Sequence, residues 1–186
     1  MNNWAHGQLE KTTHQTKPIN GTSREIEGEI FTAGGWDMLH VGQARYLEEA
    51  KKLGDILVVG VNSNAAIRTV KGKNKPLIDE ILRCEMLTYL KSVDFVTIVP
   101  EPSCQPTLGL LKPDVYVTVK EDWAKEYKES IEYKTVIKYG GEVVVIDRQS
   151  PYISTTKIIQ RAVGAHLQDV FKEFMDLKDK PLKEKK

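Results

Sequence analysis

The chain has 186 residues, with 27 lysines and arginines against 26 aspartates and glutamates, so its formal net charge is +1. This length suits one domain with tails, and the balanced charge argues against nucleic acid or a membrane surface as a partner. Cys84 and Cys104 lack metal-ligand spacing and are too few for a disulfide framework, which predicts free, buried thiols in a reducing cytoplasm. No apolar stretch reaches the roughly 20 residues of a membrane helix, so we expect a cytoplasmic protein that does not enter the membrane.

Residues 1–27 are polar and aperiodic, which indicates an N-terminal tail. From residue 28 onward, short Val/Ile-rich runs alternate with helical patterns. The predicted strands are Glu29–Ala33, Asp55–Val61, Phe95–Val99, Val115–Thr118 and Val143–Ile146. The predicted helices are Val41–Leu53, Ser63–Val70, Ile78–Leu90, Gln105–Leu111, Lys125–Tyr139 and Thr155–Val163. Continuous apolar strands under helices predict an α/β fold: a doubly wound, Rossmann-like parallel sheet of about five strands with flanking helices.

A separate amphipathic helix is predicted at the C-terminus, within residues 164–186 and after a domain that spans residues 28–163. Its apolar positions recur at spacings of three and four: Leu167, Val170, Phe171, Phe174 and Leu177. We expect this apolar face to pack on the domain or on a second subunit, and the charged run from Lys178 to Lys186 to be a solvated tail.

The junction between the first strand and the first helix, Phe31–Gln43, has the chemistry of an anion site. Gly34-Gly35 predicts a tight turn with positive φ, and His40 and Gln43 fall on one face of the helix start. The first backbone N–H groups of a helix have no intrahelical partner, so a phosphate is a natural occupant. Gly42, without a Cβ, would let the phosphate approach the backbone.

Doubly wound sheets bind ligands beyond the carboxyl ends of their strands, where the strand order reverses. The loops after the first, second, fourth and fifth predicted strands are residues 34–43, 62–75, 120–123 and 148–156, and they are rich in Lys, Arg, His and hydroxyl side chains. The dinucleotide fingerprint and the P-loop motif are both missing from the sequence. The phosphate site therefore requires a different explanation.

Phe31–Gln43 resembles the G-x-F-D-x-x-H-x-G-H signature of the nucleotidyltransferase superfamily of the cytidylyltransferase type. Further segments resemble the nucleotidyltransferase domain of ADP-heptose synthase in order and spacing: Leu53–Ser63, Lys71–Pro76, Arg83, Ser92–Asp94, Lys112–Val115 and Ile153–Ile158. Glu121–Trp123 and Ile153–Ile158 also resemble glycerol-3-phosphate cytidylyltransferase. The resemblance covers roughly residues 28–163 and uses one shared order of motifs.

The resemblance implies transfer of a nucleoside monophosphate, CMP or AMP, from a nucleoside triphosphate to a phosphorylated sugar or polyol with release of pyrophosphate. It implies catalytic roles for His40, Gln43, Lys71 and Arg83. Mg²⁺ is expected with the triphosphate, where it bridges phosphate oxygens, and no set of residues is expected to hold a metal alone. A homodimer is expected, because this family often pairs.

Nucleotide contacts are expected at the glycine turn, on the fourth loop and at the start of the last predicted helix. The residues are Thr32, Ala33, Gly34, Gly35, Trp36, Asp37, Gly42, Asp122, Trp123, Arg148, Ile153, Ser154, Thr155 and Thr156. Asp37 is interpreted chiefly as a residue that orients the turn, and Ser154 or Thr155 as an N-cap that also binds phosphate. Lys73 and Lys75 are interpreted as solvated loop lysines.

Gln43 departs from the family pattern, which has a histidine at this position. An amide can still donate a hydrogen bond but can never carry a positive charge, and a neutral donor is roughly half as strong as a charged one. Three alternatives stay open: a slower or rebalanced enzyme, a catalytically weak nucleotide-binding relative, or a His-to-Gln variant. The segment Thr118–Glu121 also lacks the glycine pair of the heptose enzyme, so the base and acceptor pocket differs there.

Overall fold

A computed structural model describes residues 28–119, 127–149 and 152–178. Its strands form one parallel sheet of five strands in the order β3-β2-β1-β4-β5. The strands are β1 (Glu29–Gly34), β2 (Ile56–Asn62), β3 (Phe95–Val99), β4 (Val115–Val119) and β5 (Glu142–Ile146). The predicted doubly wound, Rossmann-like α/β fold is confirmed, and every predicted strand lies within one residue of its observed bounds.

The helices follow the predicted order. They are α1 (Val41–Lys51), α2 (Asn64–Lys71), α3 (Glu80–Thr88), α4 (Gln105–Leu111), α5 (Ile131–Lys138) and α6 (Thr155–Lys178). A single 3-10 turn at Tyr127–Glu129 precedes α5, so the predicted helix Lys125–Tyr139 was too long among the described residues. Ser130 ends that turn and caps α5, because its hydroxyl accepts the Tyr133 amide.

Both faces of the sheet are buried, which explains the continuous apolar strands. Successive strand residues point to opposite faces, so Ile30 joins a core under α1 while Phe31 joins a second core under α4 and α5. The first core also contains Leu47 and Leu57, both fully buried. The central position of β1 between these cores fixes the strand whose carboxyl end carries Phe31–Gln43.

β1 pairs with β2 along its whole length but separates from β4 after two residue pairs; we call these its closed and open edges. β1 keeps register with β2 over six residue pairs, from Glu29 with Ile56 to Gly34 with Val61. It pairs with β4 at only two positions, Ile30 with Val115 and Phe31 with Tyr116. Beyond these pairs β4 stays with β5, so a crevice opens at the reversal of strand order.

The last helix corrects the sequence prediction, because α6 is one continuous helix of 24 residues rather than two. A single interior glycine, Gly164, costs a helix only about 1 kcal/mol and does not end it. The apolar face of α6 was expected to pack on the domain or on a second subunit. Leu167 is 61% and Phe171 is 66% exposed, so these side chains do not pack on the domain. Within the described ranges, no helix has the length and apolarity to cross a membrane.

Candidate active site

A cleft of about 390 Å³ lies over the crevice between β1 and β4. The predicted loops after β1, β2 and β5 contribute to it, together with the end of β4. Its lining residues are Ala33, Gly34, Gly35, Trp36, Asp37, His40, Gly42, Gln43, Tyr46, Ile67, Lys71, Lys75, Thr118, Val119, Arg148, Gln149, Ile153, Ser154, Thr155 and Thr156. The structure thus brings together most of the residues that the sequence suggested.

The turn after β1 is built differently from the prediction. In this turn positive φ occurs at Trp36 (50°) and Met38 (51°) and not at Gly34 or Gly35. Gly34 is needed for space instead, because a Cβ there would lie 3.2 Å from the Trp36 ring. The indole of Trp36 crosses over the end of β1 and donates from Nε1 to the Gly60 carbonyl at 2.8 Å.

Asp37 orients the neighbouring loops, in agreement with the sequence interpretation. Its two carboxylate oxygens accept the amides of Leu77 and Ile78, each at 3.0 Å. Its carbonyl accepts the Thr155 hydroxyl at 2.7 Å, which attaches the start of α6 to the β1 loop. Asp37 therefore connects three segments: its carboxylate holds Leu77 and Ile78 to the β1 loop, and its carbonyl holds the start of α6 there.

His40 and Gln43 begin α1, as predicted. His40 is the N-cap, and the Gln43 side-chain oxygen accepts the His40 backbone N–H at 3.1 Å. A glutamine three residues after the N-cap satisfies an otherwise unpaired amide, which is half of a capping box. The oxygen of Gln43 is therefore occupied in stabilising the helix start, and its NH₂ group is the part left for a ligand.

The imidazole of His40 is placed as a neutral group. Burial, followed by the positive charge of Arg148, lowers the pKa of His40 from its usual 6.5. Its Nδ1 is buried and has no hydrogen-bond partner among the described residues. An unpaired buried nitrogen costs free energy, so a group that hydrogen-bonds to Nδ1 would stabilise this site.

Three cationic side chains line the cleft: Lys71, Lys75 and Arg148. Lys71 ends α2, and a Cβ built on Gly35 would lie 3.9 Å from its Nζ, so the ammonium group lies over the glycine turn. Lys75, interpreted from the sequence as a solvated loop lysine, is half-buried and lines the cleft. Lys73 is exposed and does not line the cleft, as expected.

Arg83 does not reach the cleft surface, which corrects the expectation that it faces the ligand. Its side chain is 1% exposed and its guanidinium donates to the carbonyls of Ile78 and Gly35 and to Oδ1 of Asn64. Burial lowers the pKa of Arg83, and the charge of Asp37 opposes this effect. A planar group with several donors suits this position, since it joins three loops beneath the glycine turn.

Thr32 is also absent from the cleft lining, although it was expected to contact the nucleotide. It is buried beneath the cleft, and its hydroxyl lies 2.7 Å from the Tyr46 hydroxyl. The sequence missed Tyr46 as a site residue because its helical spacing is that of a core residue. It also missed Ile67 and Gln149, for which no motif gave a signal, and did not name Thr118 and Val119 individually although the segment Thr118–Glu121 was placed at the base and acceptor pocket.

The start of α6 forms the last wall. Ser154 caps α6, because its hydroxyl accepts the Lys157 amide at 3.2 Å. Ser154 also lines the cleft, so the same residue caps the helix and contributes to the site. Thr155 and Thr156 line the same wall.

Asp122 and Trp123, expected near the base or ribose, lie outside the described residues. The described residues include no cluster of His, Cys, Asp and Glu that could hold a metal ion.

Comparison with known proteins places this geometry in a family. The cytidylyltransferase-like family model matches residues 31–161. The chain is 38% identical over 141 residues to a bifunctional protein HldE from Syntrophotalea carbinolica, and 37% identical over 159 residues to one from Geobacter metallireducens. These matches cover 75% and 81% of this chain but only 28% and 31% of those proteins.

Among solved structures, the chain is similar to a lipopolysaccharide core biosynthesis protein from Thermoplasma volcanium, with a TM-score of 0.55 and 32% sequence identity. The match covers 67% of this chain and 98% of that protein. Sequence and fold therefore agree with the cleft chemistry, and the chain belongs to the cytidylyltransferase-like family of nucleotidyltransferases.

Proposed function

We propose that this nucleotidyltransferase transfers CMP or AMP from the corresponding nucleoside triphosphate to a phosphorylated sugar or polyol, with release of pyrophosphate. The proposal rests on one observation: His40, Lys71, Lys75 and Arg148 line the same cleft, at the amino-terminal end of α1. These groups suit a triphosphate, because they supply positive charge and unpaired donors at one crevice. Similarity to a lipopolysaccharide core biosynthesis protein favours a sugar acceptor.

The reaction needs little proton chemistry from the protein. A phosphate oxygen of the acceptor attacks the α-phosphorus in line, the new P–O bond forms, and pyrophosphate leaves with the electron pair of the broken bond. The nucleophile is already an anion, so catalysis consists of positioning and charge stabilisation. In this scheme His40 donates to the triphosphate, Lys71 and Lys75 neutralise its charge, and the Gln43 NH₂ group is a neutral donor.

Mg²⁺ fits this site only when it is bound to the phosphates of the nucleotide. When bound with the nucleotide, it would neutralise part of the phosphate charge. Asp37 is the one carboxylate in the cleft lining of the described residues, and both of its oxygens already accept backbone amides. The described cleft residues are therefore suited to bind the phosphates, and the ion would be bound through the phosphates.

The test is a pyrophosphate-release assay that pairs ATP, CTP, GTP and UTP with a panel of sugar and polyol phosphates in the presence of Mg²⁺. We expect release with one nucleotide and one acceptor class, and loss of release in Lys71→Ala. Thr88→Val, on the exposed end of α3, is the control and should retain activity. No release above background for any pair would overturn the proposal.

A second candidate, a catalytically weak nucleotide-binding relative, is favoured by one observation: the oxygen of Gln43 is occupied at the helix cap. It predicts triphosphate binding by calorimetry with no turnover. Gln43→His separates the two candidates. A rate gain of tenfold or more would support the weak relative, because a charged donor is roughly twice as strong as a neutral one. A loss of rate would show that the site is adapted to glutamine.

We also propose that a second copy of the chain covers the apolar face of α6. Val163, Leu167 and Val170 are each about half exposed or more and follow the four-three spacing of a helix–helix seam. A two-fold pair uses the same face twice, so one apolar stripe suffices for both partners. Sedimentation should give a dimer mass that Leu167→Glu converts to a monomer mass. A wild-type monomer at micromolar concentration would contradict the pairing.

A further inference from the structure

The split between β1 and β4 leaves backbone groups that a continuing ladder would have paired. After Phe31 and Tyr116 the two strands separate, so Thr32 no longer faces Val117 in register. Both residues stay buried, with Thr32 1% and Val117 0% exposed. Buried polar groups at such a place require partners, because an unpaired carbonyl or hydroxyl loses its hydrogen bonds to water without replacement.

The hydroxyl of Tyr46 occupies this gap. It donates to the Val117 carbonyl at 3.1 Å and lies 2.7 Å from the Thr32 hydroxyl. A tyrosine hydroxyl has one proton, so once Tyr46 donates to Val117 it is the Thr32 hydroxyl that donates to Tyr46. The phenol thus replaces the missing ladder with a side-chain bridge from β1 to β4.

Tyr46 belongs to α1, the helix whose first turn carries His40 and Gln43. It lies three residues after Gln43, so the two side chains are neighbours on one helix face. Its ring lies 6.1 Å from the Trp36 ring, which covers the end of β1, and it lines the cleft floor. The bridge therefore joins both strands of the crevice to the helix that presents the catalytic donors.

We propose that Tyr46 is a positioning residue for nucleotidyl transfer, whose hydroxyl, held between Thr32 and the Val117 carbonyl, fixes the start of α1 over the crevice. The inference rests on turnover at this cleft. A shift of about 1 Å in catalytic groups can cost on the order of 10²-fold in rate, so a bridge that sets their place affects kcat more than substrate binding.

The main test is Tyr46→Phe, which removes the hydroxyl and keeps the ring. We expect kcat to fall by about 10- to 100-fold while KM for the triphosphate changes by less than about threefold. The matched control is Tyr116→Phe, because Tyr116 is equally buried, at 5% against 6% for Tyr46, and its hydroxyl contacts Cys104 on the opposite face of the sheet. Both variants should lose similar thermal stability, but Tyr116→Phe should keep its kcat.

The Thr32 partner supplies a rescue experiment. Thr32→Val removes the donor to Tyr46 and should lower kcat in the same way, whereas Thr32→Ser keeps a hydroxyl and should restore most of it. In the double variant of Thr32→Val with Tyr46→Phe, the loss should be much smaller than the product of the single losses, since both remove one bridge.

A readout without turnover separates this proposal from the proposed function. The amides of Gln43 and Ala44 donate to the His40 carbonyl, so their hydrogen exchange reports the order of the helix start. We expect these amides to exchange at least tenfold faster in Tyr46→Phe and unchanged in Tyr116→Phe. Absence of pyrophosphate release in the wild type would overturn the proposed function alone. Unchanged exchange, or equal kcat in the two tyrosine variants, would overturn the role of Tyr46.

Discussion

The two edges of β1 differ in how they meet their neighbours. Toward β2 the strand pairs along its whole length and is sealed by apolar side chains such as Leu57 and Val59. Toward β4 it pairs at two positions, and the Tyr46 hydroxyl takes over where the ladder ends. The closed edge contributes mainly to stability, and the open edge exposes polar groups at the place where the strand order reverses.

We therefore expect the two edges of β1 to control different properties: the closed edge controls folding stability, and the open edge controls the rate of the reaction. Residues at the closed edge should affect folding with little effect on the rate of folded molecules. Residues at the open edge should affect rate, with a smaller effect on folding than a core truncation at the closed edge. Four substitutions or conditions test this separation.

His40→Ala should give the largest change in rate. Loss of one donor to the transition state typically costs about 10²–10³-fold, so we expect a decrease of that size in kcat/KM. The melting temperature should change little, because Nδ1 of His40 has no hydrogen-bond partner among the described residues to lose. Steady-state kinetics and thermal melts measure both, and a decrease below tenfold would contradict the catalytic role.

Leu57→Ala tests the closed edge. Leu57 is fully buried in the core under α1, so the cavity should lower the free energy of unfolding by about 2–5 kcal/mol. Urea unfolding measures the loss. The folded fraction should keep its kcat within about threefold, and a selective loss of kcat in folded protein would break the separation.

Thr155→Val should give a smaller, mixed effect. It removes the hydrogen bond to the Asp37 carbonyl that attaches α6 to the β1 loop. We expect about 1 kcal/mol of lost stability and a several-fold rise in KM for the triphosphate. Thr88→Val removes a comparable hydroxyl bond, to the Glu85 carbonyl, far from the cleft and should leave KM unchanged. An equal KM change in both variants would contradict the attachment.

Proton binding by His40 should give the smallest effect. The folded protein lowers its pKa below 6.5, so the unfolded chain binds a proton first as the pH falls. The stability linked to the neutral ring is therefore present above pH 6.5 and is lost as the pH falls through the folded pKa. Because the ring is partly exposed and solvent screens its charge, the loss of stability should be small. In an NMR titration Arg148→Gln should move this pKa upward; no movement would contradict the coupling.

Periodicity predicted the elements well because the central strands β1, β2 and β4 are largely buried and the helices from α1 to α5 each bury part of their surface. It failed at α6, which is one helix of 24 residues where two were predicted, because a helix tolerates a single interior glycine such as Gly164. Motif position identified His40, Lys71 and Arg148 as cleft residues. It misplaced Arg83, because a sequence cannot distinguish an arginine that faces a ligand from one that holds loops together beneath it.

The parallel α/β fold, the loops that build the cleft and the family follow from the residues alone, because hydrophobic period and motif order are local properties of the chain. Three features emerge only in the folded molecule: β1 and β4 separate after two pairs, Tyr46 fills the gap, and Lys75 reaches the cleft. These outcomes depend on atoms far apart in the chain. Thr32 and Val117 are brought to one hydroxyl group only when the strands have taken their places around β1.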